Sequence, residues 1–263
     1  MPHTPGKSQA PEKSETPRLQ SFMEHLGIAS RRHAADIIRS GDVLVNGERV
    51  MEPGFRVQNP KTDVITVRGE VHALPRGGMK MRTIMLNKPR GLICSSDDSQ
   101  GETVFACLNG IPERLVCVGR LDRNSEGLLL LSSDGDFVNR MTHPKFGHSK
   151  EYIVSVGGTF DQEVLDFLNS SMKMDGYRIR PAKVDYLERL ADGRNHDRHR
   201  LRFLLHEGRN RQIRNMCELA GLRVQTLNRT AINGLRLPDD LQPGQWRDLT
   251  KADFALLEQA ESQ

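Results

Sequence analysis

Four consecutive leucines, Leu128 to Leu131, directly follow Gly127. A run this apolar has to become a buried strand, and the glycine before it lets the backbone turn into the core. The residues leading in are Gly119-Arg120-Leu121-Asp122-Arg123-Asn124-Ser125-Glu126, so a paired Arg and Asp stand at the edge of that core. An ionised carboxylate so placed costs free energy unless a cation or hydrogen-bond donors compensate it, and Asp122 therefore calls for a partner. Taken by itself, an Asp before a turn is more often a cap or turn residue.

At 263 residues the chain has room for a small domain followed by a larger one. Hydrophobic residues make up 37%, and the start is polar without a signal-peptide core. No apolar run approaches the ~18 residues of a membrane helix. These features predict a soluble cytoplasmic protein that makes no use of a membrane. Cys94, Cys107, Cys117 and Cys217 show neither CxxC pairing nor the density of a disulfide scaffold, so free thiols are expected.

The formal charge of +4 is only mildly basic, and its distribution says more than its size. From Arg76 to Arg90 there are five cations (Arg76, Lys80, Arg82, Lys88, Arg90) and no acid. Arg194 to Arg214 holds seven arginines against Asp197 and Glu207. Such segments are either solvated loops or phosphate-binding surfaces, and the Arg fork makes RNA the favoured partner.

Residues 1–17, rich in Pro, Ser, Lys and Glu, read as a disordered tail. From Arg18 the pattern turns helical: Leu19, Phe22, Met23 and Leu26 share a face, and Gly27 stops the helix. Ser30 caps a second helix that turns Ala34, Ala35, Ile37 and Ile38 inward and ends at Gly41. Asn46-Gly47 then joins two short strands between Val43 and Val50. Residues 18–67 form this αα-hairpin module, and 68–82, with Pro75, Gly77 and Gly78, read as a flexible basic linker. The second domain, 83–257, alternates strands (83–86, 92–95, 127–132, 152–156, 179–187, 200–206) with helices near 137–141, 162–168 and 210–220. The order lacks a βαβ rhythm, which predicts an α+β domain on a mixed or antiparallel sheet with flanking helices.

The string from Gly119 to Phe137, GRLDRNSEGLLLLSSDGDF, resembles the catalytic motif of the pseudouridine synthases that modify small- and large-subunit ribosomal RNA. Flanking segments of the same family stand in the right order. They are Met85 to Gly91, Thr142-His143-Pro144, Lys150-Glu151-Tyr152 and His206 to Arg214. Residues 18–67 resemble the ribosomal protein S-four-like RNA-binding domain, with His33 where family members often carry Glu. Together the two resemblances cover about residues 18–250. They imply a cofactor-free, metal-free, monomeric isomerase whose partner is ribosomal RNA or an assembly intermediate.

The resemblance also implies roles. Asp122 is the nucleophile, attacking either ribose C1′ or uracil C6, two routes the sequence leaves open. Arg214 is its cationic partner, Tyr152 stacks on the flipped uracil, and Arg120 fills the space the nucleotide vacates. Arg18, Arg31 and Arg32 on the small module, with Lys88, Arg90, Arg209 and Arg211 around the site, are the expected RNA contacts. One carboxylate suffices because the detached base stays in the pocket, whereas glycoside hydrolysis uses two. Asp134-Gly135-Asp136 opens like a calcium loop, but Lys145 stands at its twelfth position; His196 and His199 lack zinc-spaced partners. Two other functions fit the basic surfaces: a noncatalytic RNA-binding or ribosome-assembly protein, and a nucleoside hydrolase, which would release uracil. Of these, only an isomerase needs Asp122, Tyr152 and Arg214 together. The large subunit is slightly favoured as substrate.

Overall fold

The computed structural model of the chain describes residues 16–60, 62–72, 81–174, 176–190 and 197–258. They divide into two compact units that part at Lys80 and Met81. Most of the expected tail and of the expected linker lies outside the described residues. No helix among the described residues is long and apolar enough to cross a membrane.

In the first unit, α1 (Leu19–His25) packs on α2 (Arg31–Arg39). Leu19, Phe22 and Met23 of α1 meet Ala34, Ile37 and Ile38 of α2 in one core. Gly27 takes positive φ after α1, and Ser30 Oγ accepts from His33 N at 3.3 Å, so the cap forms on the backbone without a Glu. The chain continues through β1 (Val43–Val45), β2 (Glu48–Arg49), β3 (Ile65–Val67) and β4 (Glu70–His72), in spatial order β2-β1-β3-β4. Asn46 and Gly47 both have positive φ, which twists the β1–β2 turn to match its strands.

Two boundaries differ from the sequence expectation. Arg68 and Gly69, taken as the start of the linker, also have positive φ and turn β3 into β4, so the module continues to His72. Thr16 and Pro17, assigned to the tail, are bonded into the module: Pro17 O accepts from Val57 N at 3.0 Å and Thr16 O from Arg56 Nη1 at 2.9 Å. The first shift was hidden because Arg-Gly is not a usual hairpin pair; the second depends on a contact forty residues away.

The second unit opens with β5 (Thr83–Lys88), β6 (Val116–Val118), β7 (Glu126–Ser132), α3 (Gly135–Thr142) and β8 (Lys150–Gly157). It continues with α4 (Gln162–Asn169), a small hairpin of β9 (Lys173–Met174) and β10 (Tyr177–Arg178), β11 (Lys183–Leu190), β12 (Arg198–Leu205) and α5 (Gln212–Leu219). It closes with β13 (Arg223–Ile232), β14 (Leu235–Arg236), β15 (Trp246–Asp248) and α6 (Lys251–Glu258). Nine strands form one mixed sheet in the order β11-β12-β8-β13-β7-β5-β15, with β14 on β13 and β6 on β7.

The four leucines are buried because both faces of β7 are covered. Leu129 and Leu131 join the core that includes α5, while Leu128 and Leu130 join the one that includes Phe137 of α3 and Leu257 of α6. On β12, next to the edge strand β11, burial alternates instead, and Leu201, Phe203 and Leu205 face inward. Residues 92–95, expected as a strand, contribute only a single bridge from Ile93 to Thr103. The expected 179–187 strand begins at Lys183 and runs to Leu190.

Every pairing in this sheet is antiparallel except one. β13 runs parallel to β7 over two pairs, Asn228 with Glu126 and Arg229 with Gly127. This short contact joins an antiparallel half made of β11, β12, β8 and β13 to one made of β7, β5 and β15. Gly127 has φ of +102° there, and a Cβ on it would overlap Asn228 Oδ1 and Arg229 O and stand 2.9 Å from Arg229 N. Only glycine fits. Replacing Gly127 with Ala is expected to destabilise the second unit by roughly 2 to 5 kcal/mol, read from urea unfolding. A loss under 1 kcal/mol would mean that the two halves part easily.

Candidate active site

A cleft of about 360 Å³ opens in the second unit where its two sheet halves meet. The β6–β7 loop brings Asp122 to it. Ser125 N donates to Asp122 O at 3.0 Å, closing a turn over Arg123 and Asn124. Arg214, in the first turn of α5, reaches over from the other side: its Nη2 donates to Asn124 O at 3.1 Å and to Ser125 Oγ at 3.2 Å. Its Nε stands 3.6 Å from Asp122 Oδ2, close enough for charge attraction but too long for a hydrogen bond. One cation thus holds the loop by its backbone and faces the carboxylate. Burial and nearby Arg211 pull the Arg214 guanidinium below its usual value, while Asp122 opposes them. Asp122 is about a third exposed and Arg214 13%, so the carboxylate is the member of the pair that substrate can reach. Ser125 is buried with its hydroxyl committed to Arg214, which leaves no room for a hydrolytic serine.

Tyr152 enters from β8 and is 8% exposed, with its side chain at once in the core and on the cleft wall. Opposite it on β13 is Arg229, and two residues before it is Lys150, both on the same wall. Sequence reasoning missed these two cations. Lys150 stood inside the quoted Lys-Glu-Tyr segment, and Arg229 lay in a strand whose interleaved polar residues hid it. Lys150 Nζ donates to His148 O at 3.0 Å; burial, and then Arg229, pull its pKa down to about 8.

The rim is basic. Arg120 and Arg211 are exposed and line the cleft, and Arg211 takes positive φ where α5 begins. Arg209 lies 3.2 Å over the ring of Tyr177, an exposed aromatic on β10. Glu207 ties hairpin to loop, accepting from Arg180 N and Gln212 Nε2, both at 3.0 Å. Arg90 is exposed and close enough to Arg214 to affect its charge. In the first unit Arg18, Arg31 and Arg32 are exposed.

Lys88 corrects the sequence reading. It has no exposed surface, and its Nζ donates to Pro89 O, Asp122 O and Ser125 O at 3.0, 3.2 and 2.8 Å. A group spent on three carbonyls inside the protein has nothing left for a phosphate; it braces the Asp122 turn from beneath. The basic segments also carry less free charge than their composition suggests. Arg82 pairs with Glu113 and Asp248, and Arg200 and Arg202 pair with Glu188 and Asp185 of the neighbouring strand. Asp134 caps α3 by accepting from Asp136 N and Phe137 N, and His199 packs against the stacked rings of Phe160 and Tyr186.

Comparison with known proteins converges on one family. Residues 82–219 match the model of the RNA pseudouridylate synthases and residues 17–65 that of the S4 domain. The chain is an RNA pseudouridylate synthase. It is therefore an isomerase with an S4 domain ahead of its catalytic domain. The synthase is 36% identical over 234 residues to ribosomal large subunit pseudouridine synthase B of Bacillus subtilis, covering 89% of this chain and 92% of that one. It is 32% identical over 255 residues to the dual-specificity RNA pseudouridine synthase RluF of Escherichia coli, covering 94% and 81%. A longer chloroplast protein of Arabidopsis thaliana is 34% identical, and the synthase spans 61% of it. A solved pseudouridylate synthase superposes with a TM-score of 0.64 at 28% identity, covering 91% of this chain and 99% of that one.

Two outcomes test the cleft. Lys88→Met strips three carbonyls of their donor, so it should lower stability by about 1 to 3 kcal/mol. It should leave the salt dependence of RNA binding unchanged, whereas losing a phosphate contact would reduce that slope by about 1. Lys150→Met bears on pH. Lys150 is disfavoured as a cation in the fold, so the unfolded chain binds its proton more tightly between pH 8 and its ordinary value of 10.5. Wild-type stability relative to Lys150→Met should then be flat below pH 8 and rise as pH climbs through that window. A flat difference between pH 7 and 10, read from urea unfolding, would show the side chain to be solvated.

Proposed function

We propose that the synthase isomerises one uridine of ribosomal RNA, in the large subunit, with Asp122 as the nucleophile. The observation that carries this reading is the Asp122 carboxylate, about a third exposed and facing Arg214 at 3.6 Å, in a cleft whose wall includes Tyr152. The name of the Bacillus subtilis relative supports ribosomal RNA of the large subunit, and that of the Escherichia coli relative supports RNA as the substrate.

The reaction breaks the bond between ribose C1′ and N1, turns the uracil within the cleft and joins C1′ to C5, whose proton leaves while N1 takes one up. Nothing is added or lost, so a single carboxylate that forms and then releases a covalent adduct is enough. Tyr152 gives the flipped base a face to lie on, and Arg120 at the mouth takes up the room left in the RNA. Arg90, Arg209 and Arg211 surround the opening as contacts for the phosphates on either side of the target. Arg18, Arg31 and Arg32 deliver the synthase, as a monomer, to a structured RNA helix or an assembly intermediate.

The test is tritium release from C5-labelled uridine in unmodified small- and large-subunit RNA. Release from the large-subunit RNA that vanishes in Asp122→Asn, with RNA affinity within about twofold of wild type, is the expected result. Release from the small-subunit RNA alone would move the substrate, and undiminished release in the variant would remove Asp122 from its role.

A further inference from the structure

We propose that Arg229 recognises the target base, donating from its guanidinium to a carbonyl oxygen of the uracil that lies on Tyr152. The inference rests on the isomerase reading above and adds a residue to it. Arg229 is 2% exposed yet lines the cleft. Its Nε is fixed by Leu128 O at 2.7 Å, whereas its Nη2 is buried with no hydrogen-bond partner among the described residues. Lys88, Lys150 and the thiols of Cys94 and Cys117 feel its charge, and among the described residues no carboxylate is bonded to its buried Nη2. A buried guanidinium beside two ammonium groups is costly unless something supplies acceptors, and a guanidinium can only donate.

Depth and register narrow the acceptor to the base. The sugar–phosphate strand stays at the cleft mouth with Arg120 and Arg211, but the flipped base enters furthest. Arg229 pairs directly with Tyr152 across the β8–β13 ladder, and such residues have Cβ atoms about 4.5 to 5.5 Å apart. A base stacked on the tyrosine therefore brings its rim against the arginine. The rim of uracil carries two carbonyl acceptors, O2 and O4. The link from Arg229 to Leu128 O also places this contact one residue from Gly127, so the recognising group is braced by the strand that leaves the Asp122 loop.

The experiment uses ribosomal RNA carrying uridine, 2-thiouridine or 4-thiouridine at the target position, with products resolved by nucleoside chromatography. Sulfur is the poorer acceptor. Wild-type kcat should fall between about 10- and 100-fold on one thio substrate and little on the other. Arg229→Met should be slowed on uridine by a similar factor and lose nothing further on that thio substrate, while Arg229→Lys should recover part of the rate. An equal thio penalty in wild type and Arg229→Met would overturn the proposal and leave Arg229 a brace for Leu128. Should Arg229→Met fail to fold, the wild type alone decides: turnover of both thio substrates at the uridine rate overturns the contact. Absence of product from uridine itself would instead overturn the isomerase reading and this contact with it.

Discussion

The second unit depends on the close parallel approach of β7 and β13 at Gly127 and Arg229. Antiparallel pairing builds each half of the sheet, and among the described residues this is the one strand pairing that joins the halves. Asp122 hangs from one half and Tyr152 rises from the other, so the width of the cleft is the width of that join. The missing side chain at position 127 is what lets two backbones come near enough, and the same approach delivers Arg229 Nε to Leu128 O. Packing and site geometry are here one arrangement.

Charge follows the same division of labour. Cations on β12 are neutralised by acids on the edge strand β11, and Arg82 by Glu113 and Asp248, which leaves positive charge concentrated at the cleft. Lys88 bonds to backbone carbonyls beneath the Asp122 turn, while on the cleft wall Arg214 bonds to carbonyl and hydroxyl and Arg229 to a single carbonyl. Stability alone does not call for three such cations in and beneath one cleft, because apolar residues of equal size would serve that end as well. Their placement suits a polyanion whose base is drawn inward.

What the sequence disclosed and what it concealed have separate physical causes. The buried strand at Leu128, the cap at Ser30 and the helix stop at Gly27 are local consequences of apolar runs and backbone freedom, and they were legible, whereas Asp134 read as the opening of a calcium loop and is the cap of α3. The mixed sheet was also legible as a class. β13 was not, since Gln225, Thr226, Asn228, Arg229 and Thr230 interrupt its apolar pattern, and β15 is only three residues long. Among site residues, Asp122, Tyr152 and Arg214 came from a motif resemblance, and the structure brings all three to one cleft. Lys88 misled because a lysine in a basic run looks exposed; nothing local says that its stem runs under a turn thirty-four residues away.

The order of strands has a temporal meaning. β5 finds β7 early in the chain, but its other neighbour, β15, lies beyond residue 245, and β7 waits for β13 a hundred residues downstream. Pairings this remote carry the largest loop-closure penalty and form slowly. A nascent chain can therefore own its Asp122 loop long before it owns a cleft. Asp122 remains without its opposite wall until β13 has been made, so the cleft is completed by one of the most remote pairings in the sheet.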